Sequence, residues 1–392
     1  MARKKAVLAG GARLSDYLSI GVIAQVFPMR AVKSALRESG RASQRRRKLP
    51  AEAMVYFVIA LALFRSVSAT EVMRCLMDGL RWMRPRQPLR VPSKVAISKA
   101  RTRLGPEPFR ALGKRIVRVL AEERTAGAWY RGRRLVAYDG TSLDVPDERR
   151  NREEFGLPGT QRGQAAFPKA RVTALLEIGT RAAFAWEHGP YREAEVRQAK
   201  RLHRHLQPGM LLLADRGYLG AALWQSAART GADLLWRAKC NTALPVRRIL
   251  ADGSFLSEFA GSPARVIEYS LAESDEERYR LVSTLLDPRQ APAAELAALY
   301  HERWEIETAY DEIKTHLLGR SPILRAKTPD LVRQEIEGLM LAYYAVRYLL
   351  HAAAHEAAED PDRLSFVHAV RVVRRRIQNP AVSPPATSEA GP

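Results

Sequence analysis

The sequence predicts an α/β protein: a mixed sheet under helical cover, preceded by a helical N-terminal domain and followed by C-terminal helices. Three observations carry this. The hydrophobic period changes from helical to strand-like near residue 133. Beyond that point the patterns follow the order β-β-β-α-β-α-β. The net charge stays on the near side of it. Residues 1–134 hold 30 Lys and Arg against 8 Asp and Glu, and residues 135–392 hold 34 against 34, so the whole +22 lies in the N-terminal third. Such asymmetry points to a polyanion, most simply nucleic acid. With 392 residues and 46% apolar content the chain can bury a large core in two or three domains.

The elements follow in order. LSDYLSIGVIAQVF opens a helix with Ser15 as its cap. The cations Arg45, Arg46, Arg47 and Lys48 precede Pro50 and an apolar helix over 51–65. Its run MVYFVIALALF is 11 residues, too short to span a bilayer and suited to a buried helix. The basic start has too short an apolar stretch for a signal peptide. Ser68 caps the next helix, and a Pro- and Arg-rich loop covers 84–93. Ser93 caps a pair of helices broken at Gly105-Pro106, a helix–turn–helix in outline. RRLVAYDGTSLDVPD is a buried strand, and residues 169–190 form a hairpin turning at Gly179-Thr180. REAEVRQAKRLHRHL is an amphipathic helix, GMLLLADRGY a strand, LGAALWQSAARTG a helix and ADLLWRAK a strand. Short strands around 252–255, 265–270 and 278–286 read as an insertion, and from Pro292 the chain is helical. The expected domains are a basic helical DNA-binding domain over 1–130, a core over 131–239 and 284–330, a β-rich insertion over 240–283, C-terminal helices over 331–378 and a disordered tail over 379–392. Cys75 and Cys240 make no CxxC, so no disulfide or zinc framework is expected, and a reduced, cytosolic setting fits.

The segment YHERWEIETAYDEIK holds Tyr300, Arg303, Glu307 and Lys314 in the spacing Y-x2-R-x3-E-x6-K. On one helix, offsets of 3, 4 and 7 place all four on one face, an acid flanked by two cations and a phenol. Asp139 and Asp215 each end an apolar strand, where a charge is costly unless it opens into a site. Two such aspartates with a glutamate make an all-oxygen pocket suited to Mg²⁺ or Mn²⁺. Two such ions can activate a nucleophile and stabilise the leaving oxygen of a phosphodiester. Arg216, beside Asp215, is a further phosphate candidate.

Together, Asp139 in DGTSLDVPD, Asp215 in ADRGY and the tetrad resemble the insertion-sequence 4 family of DDE transposases over about residues 12–378. The resemblance implies a ribonuclease-H-like core carrying a small β-rich insertion. It implies Asp139, Asp215 and Glu307 as catalytic ligands of two ions per site, and Tyr300, Arg303 and Lys314 as phosphate contacts. It implies double-stranded DNA, both transposon ends and target, as partner, with two ends synapsed by a homodimer. The enzyme would act at the nucleoid in the bacterial cytoplasm, with no membrane partner. The rival readings are a metal-dependent nuclease without strand transfer and a non-catalytic DNA-binding regulator. Candidates for stacking on a flipped base are Trp236, Phe255 and Trp304, whose simpler role is core packing. The N-terminal DNA candidates are Arg45, Arg46, Arg47, Lys48, Lys94, Lys99, Arg101 and Arg103. Glu302, Glu305, Asp311 and Glu312 read as solvated charges, and His203 and His205 as solvated or DNA-facing. The pair His351 and His355 lacks the glutamate of a metalloprotease helix and reads as packing. The helix LMLAYYAVRYLLHAAAH suits core packing, with an oligomer contact as the second option.

Overall fold

The computed structural model describes residues 20–45, 49–65, 67–79, 91–160, 163–270, 278–319 and 323–375. In chain order it begins with helices α1 (Ile20–Val26), α2 (Met29–Glu38), α3 (Ala51–Leu63), α4 (Ala69–Gly79), α5 (Lys94–Leu104) and α6 (Glu107–Ile116). Then come β1 (Trp129–Tyr130), β2 (Arg133–Asp144), α7 (Arg149–Phe155), β3 (Gly159–Thr160), β4 (Gly163–Gln164), β5 (Lys169–Glu177) and β6 (Ala182–Pro190). These are followed by α8 (Glu195–Leu202), β7 (Met210–Ala214), α9 (Ala221–Ala228), β8 (Asp233–Ala238), β9 (Arg248–Ile249), β10 (Phe255–Phe259), β11 (Ser262–Ser270) and β12 (Arg278–Ser283). The chain continues through α10 (Ala293–His301), α11 (Glu305–Asp311), α12 (Pro329–Ala357) and α13 (Phe366–Arg375). It divides into a helical unit of residues 1–117, 312–350 and 364–392, and a sheet unit of residues 118–311 and 351–363.

In the helical unit α3 is apolar on every side, and each side chain from Ala53 to Leu63 is buried. That is the fate expected of MVYFVIALALF: a helix without a polar face belongs inside a core. Ser68 and Ser93 cap α4 and α5 by accepting from the amides of Glu71 and Ala96, each at 3.2 Å. Ser15 lies outside the described residues. Gly105 joins α5 to α6 at φ 67°, a left-handed backbone that glycine takes without strain. The sequence reading set residues 331–378 apart. The first 22 residues of α12 and all of α13 instead fold with α1–α6. Gly338 lies so close to α3 that an added Cβ would stand 2.7 Å from Val58 Cγ1. Of the segment 339–355, read from sequence as core packing with an oligomer contact second, residues 339–350 are mostly buried in this core. Residues 379–392 lie outside the description.

The sheet unit carries one ten-stranded sheet in the order β6-β5-β2-β7-β8-β12-β11-β10-β9, with β1 paired to β2. Strands β2, β7 and β8 are parallel neighbours, and β5 and β6 form the expected antiparallel hairpin. Its turn holds Gly179 at φ 83°, where a Cβ would stand 2.6 Å from the Ala126 carbonyl oxygen, so only glycine fits. The insertion extends this sheet: β12 pairs antiparallel with β8, and β11, β10 and β9 follow outward. Among the described residues no helix is long and apolar enough to cross a membrane.

Candidate active site

Residues Leu135–Tyr138 of β2 are at most 1% exposed, because both faces of this central strand are covered. The β2–β7 ladder runs from Arg134↔Met210 to Ala137↔Leu213. Continued two residues further, that register puts Asp139 and Asp215 at one level, just where β7 ends. Asp215 thus follows the carboxyl end of β7, whereas Asp139, expected to end its strand, lies within β2, which runs on to Asp144 paired with β5. The amide of Gly140 donates to Asp139 Oδ1 at 2.8 Å. Burial pushes the Asp139 carboxyl up to about 6. The Gly140 amide and the Arg303 guanidinium oppose that shift, and the Glu195 and Asp215 carboxylates add to it.

The tetrad segment is not the single helix its spacing suggests. Helix α10 passes into a 3-10 turn (Glu302–Trp304), then α11, then a π-helical turn (Glu312–Leu317). Tyr300, on α10, is 4% exposed and donates to the carbonyl of Ala214 at 3.3 Å, one residue before Asp215. Arg303, on the 3-10 turn, is 7% exposed. Burial alone would lower its guanidinium, but Tyr300, Asp215, Asp139 and Glu307 outweigh that and hold it above its ordinary value. Glu307, on α11, is half-exposed and its carboxylate lies 3.2 Å from Arg303 Nη2. Tyr310, one turn along, donates to the main-chain carbonyl of Asp139 and accepts from the Ala174 amide at 3.2 Å. That clamp fixes α11 against β2. Lys314 lies on the π-helical turn in the helical unit. Arg216 is exposed beside Asp215.

The oxygen donors of Asp139 and Asp215 fit a hard divalent cation. Among the described residues, however, no three His, Cys, Asp or Glu side chains gather closely enough to hold an ion. Glu307 is turned to Arg303 rather than gathered with both aspartates. A buried guanidinium needs a counter-charge, and this carboxylate supplies it four residues on.

Other expectations are relocated by burial. Arg101, expected on the DNA-facing surface, is buried instead, and its Nε donates to Gln334 Oε1 at 2.9 Å. Arg45, Lys94, Lys99 and Arg103 are exposed, while Arg46, Arg47 and Lys48 lie outside the described residues. Glu312 is not solvated: it is buried against Arg347 and accepts from the Tyr343 hydroxyl at 3.1 Å. His203 is not solvated either, being 4% exposed and stacked on Tyr138. Trp236 and Phe255 are buried, whereas Trp304 is 57% exposed, with the Arg303 guanidinium 5.8 Å from its ring centre. His351 Nε2 lies 3.2 Å from Thr125 Oγ1, a packing role.

Sequence reasoning missed Glu195, Tyr218 and Tyr310. Glu195 opens α8 and looks like any acid in a first helical turn. The tyrosines offered a weak signal: Tyr218 follows Asp215 by three residues and Tyr310 follows Glu307 by three.

Comparison with known proteins identifies the family. The insertion element 4 transposase N-terminal family matches residues 17–114, and the transposase DDE domain family matches residues 130–345. The chain is 29% identical over 379 residues to the transposase InsG for insertion sequence element IS4 of Escherichia coli (strain K12), covering 93% of this chain and 82% of that protein. It is 25% identical over 222 residues to the putative transposase InsZ of the same strain, covering 56% and 71%. A cryo-EM structure of the piggyBac transposase synaptic complex with hairpin DNA shares the fold, with a TM-score of 0.50 at 11% identity over 93% of this chain and 79% of that one. A ribonuclease-H-like core with Asp139 and Asp215 at one level, behind an insertion-element 4 N-terminal domain, places this chain in the DDE transposase family as an insertion-sequence transposase.

Proposed function

We propose that the chain cuts transposon ends and joins them to target DNA with Asp139 and Asp215 as its central metal ligands and Glu307 as the third. The observation that carries this reading is the shared level of Asp139 and Asp215, with Arg303 of the tetrad charged against both. The bound Mg²⁺ or Mn²⁺ ions, two per site, would supply a polarised phosphodiester and an activated water or 3′-hydroxyl. The chain's own side chains orient the DNA. Arg303 is held between the two aspartates and Glu307, so it presents a fixed charge to a phosphate entering the site. Tyr300 braces the backbone ahead of Asp215. Arg216 is at the rim, and Lys314 joins as a phosphate contact on the spacing of the motif. Glu307 would complete the metal set in the DNA-bound chain, where the Arg303 guanidinium would pair with a phosphate instead.

The exposed cations Arg45, Lys94, Lys99 and Arg103, with Arg46, Arg47 and Lys48, are the proposed binding surface for the terminal repeats. Two chains would synapse two ends, on the bacterial chromosome in the cytoplasm.

The test uses the full chain, Mg²⁺ and labelled DNA carrying the element's own ends. Asp215→Ala should remove several kcal/mol of transition-state stabilisation, about 10³-fold or more in cleavage rate. End binding in a gel-shift assay should persist. Cleavage retained by Asp215→Ala would sink the metal assignment.

A further inference from the structure

We propose that Glu195 is a fourth carboxylate of this site and shares a divalent cation with Asp139. The proposal rests on the reading of Asp139 as a metal ligand. Helix α8 brings its first residue over β2, and the residue after Asp139 there is a glycine. A Cβ on Gly140 would stand 2.5 Å from Glu195 Cδ and 2.8 Å from its Oε1. Any side chain at position 140 would push that carboxylate away, so the bare strand is what lets it reach Asp139. The two carboxylates bracket a single hydroxyl: Tyr218 Oη lies 3.5 Å from Asp139 Oδ1 and 3.5 Å from Glu195 Oε2. One hydroxyl proton serves one acceptor at a time, and at 3.5 Å it serves neither well. A cation between them would serve both.

The rest of the surroundings hold Glu195 in that pose. Arg171 pairs with its Oε1, leaving Oε2 on the Asp139 side. Arg171 is itself a fixed strut, donating to the Tyr191 carbonyl at 3.2 Å and lying 4.8 Å from the centre of the Tyr191 ring. A site with two protein carboxylates also agrees with the lack of any three-donor group among the described residues. Mg²⁺ keeps several waters and is commonly held by one or two carboxylates plus substrate phosphate. The plain alternative is that Glu195 only balances Arg171 and the amino end of α8. It gives Oε2 only the Tyr218 hydroxyl, at 3.5 Å.

Isothermal titration of Mn²⁺ into the full chain, without DNA, separates the two roles. Glu195→Gln keeps the size of the side chain and removes its charge, and Arg171→Gln removes the ion pair and leaves the carboxylate. We expect Glu195→Gln to weaken Mn²⁺ binding about 10- to 100-fold, with Asp139→Asn at least as damaging. Arg171→Gln should lower the melting temperature in EDTA and leave Mn²⁺ affinity near that of the parent. Mn²⁺ binding lost in Asp139→Asn but intact in Glu195→Gln overturns the proposal and leaves the transposase reading standing. Equal weakening by Arg171→Gln and Glu195→Gln also overturns it. A parent chain that binds no Mn²⁺ and cuts no end DNA overturns both.

Discussion

A single buried imidazole governs part of the acid response of the sheet unit. His203 is stacked on Tyr138, the residue before Asp139, with ring centres 6.1 Å apart, and its Nδ1 lies 2.9 Å from Ser226 Oγ. Burial, aided by Lys200, pushes the ring down to about 4 from its ordinary 6.5. The folded chain therefore binds fewer protons than the unfolded one, so this contribution to stability is complete above pH 6.5 and is lost as pH falls toward 4. Urea titrations across that range should show His203→Phe flattening the loss by about 2 kcal/mol relative to the parent. An unchanged pH profile in the variant would assign the acid response elsewhere. The same residue marks a boundary of what sequence can tell. Asp139 and Asp215 were legible because a charge ending an apolar run breaks a local rule, and only a site justifies it. His203, Glu312 and Arg101 were not, because their charge is visible in sequence and their partners are not. Arg101 finds Gln334 across 233 residues, and Glu312 finds Arg347 across 35. Tertiary contacts turned three apparently solvated groups into core.

At the scale of elements, the tetrad segment shows what a motif's spacing predicts and what it omits. The spacing pointed to one continuous helix. The chain instead changes winding twice, tightening at Glu302–Trp304 and loosening at Glu312–Leu317. Short 3-10 and π turns inside helices recur at functional sites because they re-aim side chains. Here the tightened turn aims Arg303 inward, where Asp139 and Asp215 hold its charge. The loosened turn coincides with the buried Glu312–Arg347 pair, whose guanidinium no helical period would have located. The succession of core strands along the chain, by contrast, followed from period and length, since each was an apolar run bounded by turn residues, whereas their order in the sheet rests on tertiary pairing. Tyr310 ties the segment to the sheet. Tyr310→Phe would leave the Ala174 amide and the Asp139 carbonyl without that partner, at about 1–3 kcal/mol. Because the clamp ends on Asp139 itself, DNA cleavage should fall about 10- to 100-fold while end binding stays at the parent's affinity. A variant that loses stability alone, with single-turnover cleavage intact, would reduce Tyr310 to packing.

For the whole molecule the decisive quantity is where the charge lies. All of the +22 is N-terminal, and within the described part of that region it is not evenly available. Arg45, Lys94, Lys99 and Arg103 are exposed, whereas Arg101 is consumed inside the helical unit by Gln334. These two groups should separate cleanly in a salt titration. Each phosphate neutralised contributes about 0.9 to the slope of log affinity against log salt on duplex DNA. Changing Arg45, Lys94, Lys99 and Arg103 together to glutamine should lower that slope by roughly 3 to 4 and weaken binding across all duplex sequences. Arg101→Met should leave the slope unchanged and lower the melting temperature, because Gln334 Oε1, buried beside it, loses its donor. A slope unaltered by the four exposed substitutions would move the DNA off these cations. A slope lowered by Arg101→Met as much as by any one of the four would show that the buried arginine reaches a phosphate after all. The sequence cannot make this distinction, since the five cations look alike in it. Burial makes it, and the salt slope measures it.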